Sequence, residues 1–206
     1  MMENVKNLVG KNHKDNFLKF LDYLEILGYT NNWAILNARD YGIPQNRERV
    51  FCISELKSKR DFVFPEPIEL KFKLEDILEK NVDEKFYLNN GQVTDKPINQ
   101  ECSYCIDSNY WKGTTLQSFL KKHRRQLVTD KINESGQYVP RRLTPKETWR
   151  LMGVNDEDID KASQLVSNTS LYKQSGNSIV VPVLEAIFKQ WFIEIPNKNV
   201  GLDRWL

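Results

Sequence analysis

The sequence is poor in cysteine and histidine and has no long apolar run. Only 3 of its 206 residues are cysteine and 2 are histidine. An odd number of thiols, with Cys52 inside an apolar run and only Cys102 and Cys105 forming a C-x-x-C, argues against a disulfide framework. That pair could be half of a zinc site. No second Cys or His pair stands at ligand spacing, and His13 and His123 are isolated, so no metal is expected. No stretch reaches the ~18 consecutive apolar residues of a membrane span, and MMENVKNLVGKNHKDN lacks the apolar centre of a signal peptide. A cytoplasmic protein with no membrane partner is the expectation. Repeats and low-complexity tracts are missing too. With 40% hydrophobic and 28% charged residues, the composition excludes disordered and collagen-like chains and allows a substantial core.

Neither charge sign dominates: Lys+Arg 30 against Asp+Glu 28 leaves a formal net charge of +2. The average hides a local asymmetry. Between Lys121 and Arg142 the chain carries Lys121, Lys122, Arg124, Arg125, Lys131, Arg141 and Arg142 against Asp130 and Glu134, whereas residues 155–160 read NDEDID.

Apolar spacing supplies the elements. After Asp15, the residues Phe17, Leu18, Phe20, Leu21, Leu24 and Leu27 recur at helical spacing, with Gly28 as a stop. A turn at Asn31 and Asn32 is expected next, then a buried strand Trp33–Leu36, a loop from Ala38 to Gln45 broken by Gly42 and Pro44, and a strand Val50–Ile53. This order predicts an α/β layer. From Glu55 the pattern weakens, apart from a short helix near Leu74–Glu79, and roughly 55–140 is expected to form a separate irregular module. At Thr144 regularity returns. A cap hydroxyl, Pro145 at the first helical position and Glu147 three residues after the cap make a capping box, with Gly153 as the stop. A last helix is expected from about Ile179, with Val183, Leu184, Ile187, Phe188 and Trp191 on one side and a turn Gly176-Asn177-Ser178 before it.

Four stretches could carry chemistry. Glu3-Asn4-Val5 alone is a polar terminus. In Gln45-Asn46-Arg47-Glu48-Arg49, alternation puts Arg47 and Arg49 on one strand face, which a surface ion-pair ladder would also explain. Arg141 to Gly153 is a capped helix, and Ser175-Gly176-Asn177-Ser178 opens another.

Together and in this order, ENV, Q-x-R-x-R, R-x-L-T-P-x-E-x-x-R-L-M-G and G-N-S-x-x-V-P-V resemble the C-terminal half of a C5-cytosine DNA methyltransferase. The match covers residues 3–53 and 140–190 and leaves the insert where that family carries its target-recognition domain. The resemblance implies the C-terminal part of a Rossmann-like S-adenosylmethionine domain in segments 1–54 and 141–206, with a smaller DNA-reading domain over 55–140. By position in the motifs, Glu3 would contact N3 of a flipped cytosine, Arg49 its O2, and Arg47 would brace the site. Asn177 and Ser178 would lie against S-adenosylmethionine. The insert would face the major groove of double-stranded DNA, with Lys112, Thr114, Thr115, Lys121, Lys122, Arg124 and Arg125 as reader or phosphate contacts. A type found in restriction-modification is implied.

The chain departs from the family in lacking an F-x-G-x-G cofactor loop and a Pro-Cys nucleophile. Met1 and Met2 read as the remnant of a strand ending at Glu3. The expectation is a chain silent on its own, a truncated or naturally split enzyme whose missing N-terminal half or complementing subunit supplies those parts, and which self-associates through its exposed sheet edge. A DNA-binding specificity subunit or a non-catalytic DNA-binding module is the alternative, and RNA a less favoured substrate.

Overall fold

The computed structural model describes residues 1–58, 61–88 and 91–193. The end of the third expected segment, 194–206, lies outside them. In chain order the elements are β1 (Met2–Val5), α1 (Lys14–Ile26), β2 (Tyr29–Asn37), β3 (Gln45–Asn46), β4 (Glu48–Leu56), β5 (Ser103–Tyr104), α2 (Leu116–Lys122), β6 (Leu127–Ile132), β7 (Tyr138–Arg142), α3 (Pro145–Arg150), α4 (Asp156–Ser163), α5 (Asn168–Asn177) and α6 (Val181–Phe192). The chain divides into two compact units, one of 1–34, 50–66 and 184 onward, the other of 35–49 and 67–183.

The first unit is built on a three-stranded sheet of order β1-β4-β2. Val50, Phe51, Cys52 and Ile53 of the central strand are all at most 2% exposed, so β4 is covered on both faces, as a continuous apolar run requires. Phe17 and Leu21 of α1 pack against Val50 and Cys52, with Met2, Leu8, Val9 and Trp33 around them. The buried stripe of α1 is narrower than its sequence suggests. Phe17 and Leu21, one turn apart, are buried, while Leu18, Phe20 and Leu27 lie off that line and face solvent. On α6, Ile187 is buried, and the indole N–H of Trp191 donates to the Glu55 carboxylate at 2.9 Å.

Several local expectations are corrected. Asn31 and Asn32 lie inside β2, and the reversal occurs at Gly28, whose φ of +88° suits a residue without Cβ. The Asn31 amide instead donates to the Leu21 carbonyl. The expected loop 38–45 contains a 3-10 turn, Ala38–Tyr41, and its last residue belongs to β3. The helix near Leu74 is a 3-10 turn, Leu74–Ile77. Instead of a two-residue remnant ending at Glu3, β1 is a four-residue strand beside β4.

The second unit carries two small ladders, β3 parallel to β5 and β6 antiparallel to β7, and the helices α2 to α5. Its core includes Ile106, Tyr110, Leu127, Leu143, Leu151 and Leu171. At its centre Arg141 is fully buried, donates to both Glu147 oxygens at 2.8 Å and pairs with Asp130. Glu147 closes the capping box of α3 as expected, accepting from the Thr144 amide at 2.7 Å. One carboxylate thus both caps a helix and neutralises a buried cation.

Candidate functional site

Within the second unit three of the motif stretches meet around Arg47. This side chain is 3% exposed and sits between β3 and β4. Its guanidinium donates to the carbonyls of Ile106 at 2.7 Å, Gly176 at 3.0 Å and Ser178 at 2.7 Å, and to Cys105 Sγ at 3.5 Å. A planar fork with several donors is suited to linking separate carbonyls in this way. Arg49 is half-buried, donates to the Glu48 carbonyl at 2.8 Å and reaches the same Cys105 Sγ at 3.8 Å. Both guanidinium groups therefore reach one side of the chain, as alternation suggests.

The capped helix joins this cluster through two further contacts. Ser175 Oγ donates to Thr148 Oγ1 at 3.0 Å, and the Gln45 amide donates to the Leu151 carbonyl at 2.8 Å. Gly176 is needed for the approach: a Cβ there would stand 2.3 Å from backbone atoms of Asp107 and Ser108. The G-N-S segment is placed differently from the expectation. Gly176 and Asn177 are the last residues of α5, a helix the sequence reading does not contain, and Ser178 is its cap before α6. Asn177 is exposed and Ser178 half-buried. Glu3 is half-buried on β1, at one edge of the sheet, and belongs to the first unit.

The candidate residues of the insert divide by what they already hold. Thr115 caps α2, accepting from Ser118 N at 3.1 Å, and Thr114 Oγ1 donates to the Thr115 carbonyl. Arg125 donates to the Gly113 carbonyl at 2.7 Å. Lys112, Lys121, Lys122 and Arg124 are exposed. The candidate DNA contacts leave out two cationic neighbours of Lys112. Lys173 on α5 places its ammonium 5.4 Å from the Trp111 ring centre, where Lys112 also lies at 5.7 Å, and Arg142 donates to the Trp111 carbonyl. Lys173 is 61 residues from Lys112, so no local pattern relates them.

In the second unit a Q-x-R-x-R arginine, a capped L-T-P-x-E helix and a G-N-S helix end are thus hydrogen-bonded together. The chain belongs to the C-5 cytosine-specific DNA methylase family, whose profile matches residues 1–192. The Type II methyltransferase M2.ScrFI of Lactococcus lactis subsp. cremoris is 69% identical over 192 residues, covering 93% of this chain and 53% of that protein. The Type II methyltransferase M.SsoII of Shigella sonnei is 35% identical over 201 residues, covering 91% and 51%. The chain thus spans about half the length of these relatives. Among solved structures, the S. pombe Dnmt2 methyltransferase shares the fold with a TM-score of 0.66 at 20% identity, over 91% of this chain and 64% of that one. The Entamoeba histolytica methyltransferase EhMeth does so with a TM-score of 0.62 at 18% identity, over 92% and 61%.

Proposed function

We propose that this chain supplies the base-contacting and DNA-contacting half of an enzyme that methylates carbon 5 of cytosine in duplex DNA, in a restriction-modification setting. Its carrying observation is Arg47, which binds the arginine stretch to the carbonyls of Gly176 and Ser178. In this reading Arg49 contacts O2 of a flipped cytosine, Glu3 contacts N3, and Arg47 fixes the segment that presents Arg49. The target carbon is buried in stacked duplex, so the base must leave the helix to be reached. Carbon 5 becomes nucleophilic only after addition at carbon 6, and charge then builds on the ring at O2 and N3, where a cation and a carboxyl act.

The residues at the end of α5 suit a polar cofactor such as S-adenosylmethionine: Asn177 is exposed and offers its side-chain amide, beside half-buried Ser178. When bound it supplies the methyl group. The 206 residues contain neither a Pro-Cys nor an F-x-G-x-G stretch, so the nucleophile and cofactor loop come from another polypeptide segment, and the chain is inactive without it. Segment 55–140 is the DNA-reading part of this proposal, with Lys112, Thr114, Thr115, Lys121, Lys122, Arg124 and Arg125 on its DNA side.

The test is methyl transfer. Mixed with a polypeptide carrying those two motifs, the chain should transfer labelled methyl groups to duplex DNA, and Arg49→Ala and Glu3→Gln should each lower the rate about 100-fold or more. Transfer that is unchanged in both variants removes the catalytic assignment. DNA binding with no transfer in any mixture would favour a non-catalytic binding module.

A further inference from the structure

The segment Lys121-Lys122-His123-Arg124-Arg125 at the end of α2 holds an unusual backbone. His123 has φ of 49° and Arg125 φ of 57°, so two residues with side chains adopt the left-handed region on either side of Arg124. Such conformations persist only where the surroundings impose them, and they gather at binding segments. Here both ends are tied down. The His123 amide donates to the Phe119 carbonyl at 3.0 Å, the Arg125 guanidinium to the Gly113 carbonyl at 2.7 Å, and the next residue, Gln126, is fully buried and accepts from the Tyr104 amide at 2.9 Å. Arg124 is exposed and makes no hydrogen bond or ion pair among the described residues.

A chain of hydrogen bonds also sets the histidine. Gln100 Nε2 donates to the Tyr104 hydroxyl at 2.8 Å, and that hydroxyl lies 2.9 Å from His123 Nδ1. The hydroxyl has one proton, and we take Nδ1, 2.9 Å away, as the atom that accepts it. With Nδ1 accepting, the neutral ring carries its own proton on Nε2. In that tautomer the exposed ring presents a donor, beside a guanidinium that is donor only.

We propose that His123 and Arg124 are a pre-set base-reading pair specific for guanine in the major groove. This deepens the DNA methylase reading above and rests on it. Guanine alone offers two adjacent acceptors, N7 and O6, on its major-groove edge, which Arg124 contacts as a fork, and His123 Nε2–H donates to an acceptor on a flanking pair. Lys121 and Lys122, in the last turn of α2, hold phosphates and position the pair.

The experiment selects duplexes from a randomised pool with the 206-residue chain, then replaces each guanine of the selected sequence in turn by 7-deazaguanine. The selected sequence should contain guanine, and one replacement should weaken wild-type binding about 5- to 100-fold. Arg124→Ala should bind the unmodified duplex correspondingly more weakly and be indifferent to that replacement. His123→Ala should lose preference at a flanking position. Tyr104→Phe should keep the fold while a proton on Nδ1 of His123 appears in nitrogen-15 spectra, where the wild type shows Nε2–H. Lys121→Ala with Lys122→Ala should weaken all duplexes alike. The inference is overturned by a selection without guanine, by unchanged preference in both Arg124→Ala and His123→Ala, or by an Nδ1-protonated His123 in the wild type. Salt-dependent binding with unchanged preference overturns this pair alone, whereas a chain that binds no duplex at low salt removes the DNA-contacting reading with it.

Discussion

Arg47 and Arg141 are both buried guanidinium groups, and they are satisfied in different ways. Arg47 is held by the carbonyls of Ile106, Gly176 and Ser178, so Arg47→Lys replaces a fork with one ammonium that cannot reach them all. Leaving buried carbonyls unmet costs about 1–3 kcal/mol apiece, and urea unfolding of Arg47→Lys should show a loss of about 2–4 kcal/mol. A loss within error of zero would mean the carbonyls find other donors. Arg141 is held by carboxylates, and Glu147→Ala removes the fully buried one, leaving Asp130 alone against its charge. Breaking such a pair costs about 3–5 kcal/mol, so this variant should unfold at a much lower urea concentration than the wild type.

At the scale of the element, α3 and α4 are coupled by a surface pair. Arg150 donates to both oxygens of Asp156 at 2.6–2.8 Å, and these bonds hold the Asp156 carboxyl below the usual carboxylate range. A carboxyl whose folded pKa is depressed adds stability above its unfolded pKa of about 3.9 and loses it as the pH falls through the folded value. The pair is half-exposed, so its contribution is under about 1 kcal/mol. In unfolding titrations the stability gap between wild type and Asp156→Asn should close below pH ~4. Removing the α3 cap by Thr144→Ala should cost about 1 kcal/mol. The start of α3 was legible because a capping box is a local code of Thr, Pro and Glu at fixed offsets. The end of α5 was not. Its helix NTSLYKQSGN has weak apolar spacing, and Gly176 suggests a turn. The glycine is there because the backbone of Asp107 and Ser108 stands against it, a contact across nearly seventy residues that no window reveals. Gly176→Ala should therefore destabilise by about 1–3 kcal/mol or more, measured by thermal unfolding. The residues around Arg47 follow the same rule: the motif marked the arginine, and its partners are carbonyls without a side-chain signature.

At the scale of the whole molecule, the first unit leaves large apolar side chains in water, among them Tyr23 at 65%, Ile26 at 80% and Ile193 at 76% exposure. We propose that these side chains take part in self-association. Sedimentation velocity should show a species that grows with protein concentration, and Ile26→Lys should reduce it. No helix among the described residues is long and apolar enough to cross a membrane. The buried amide of Gln45 has a kinetic meaning as well. It accepts from Ile106 N and donates to Leu151 O, partners 61 and 106 residues downstream, and the amide is fully satisfied only when both stretches of chain have closed. Closure over such distances slows folding, and we expect these two bonds to be completed after the barrier. Gln45→Leu should hasten unfolding and leave the refolding rate nearly unchanged. During synthesis, the amide of residue 45 waits for residue 151 to leave the ribosome.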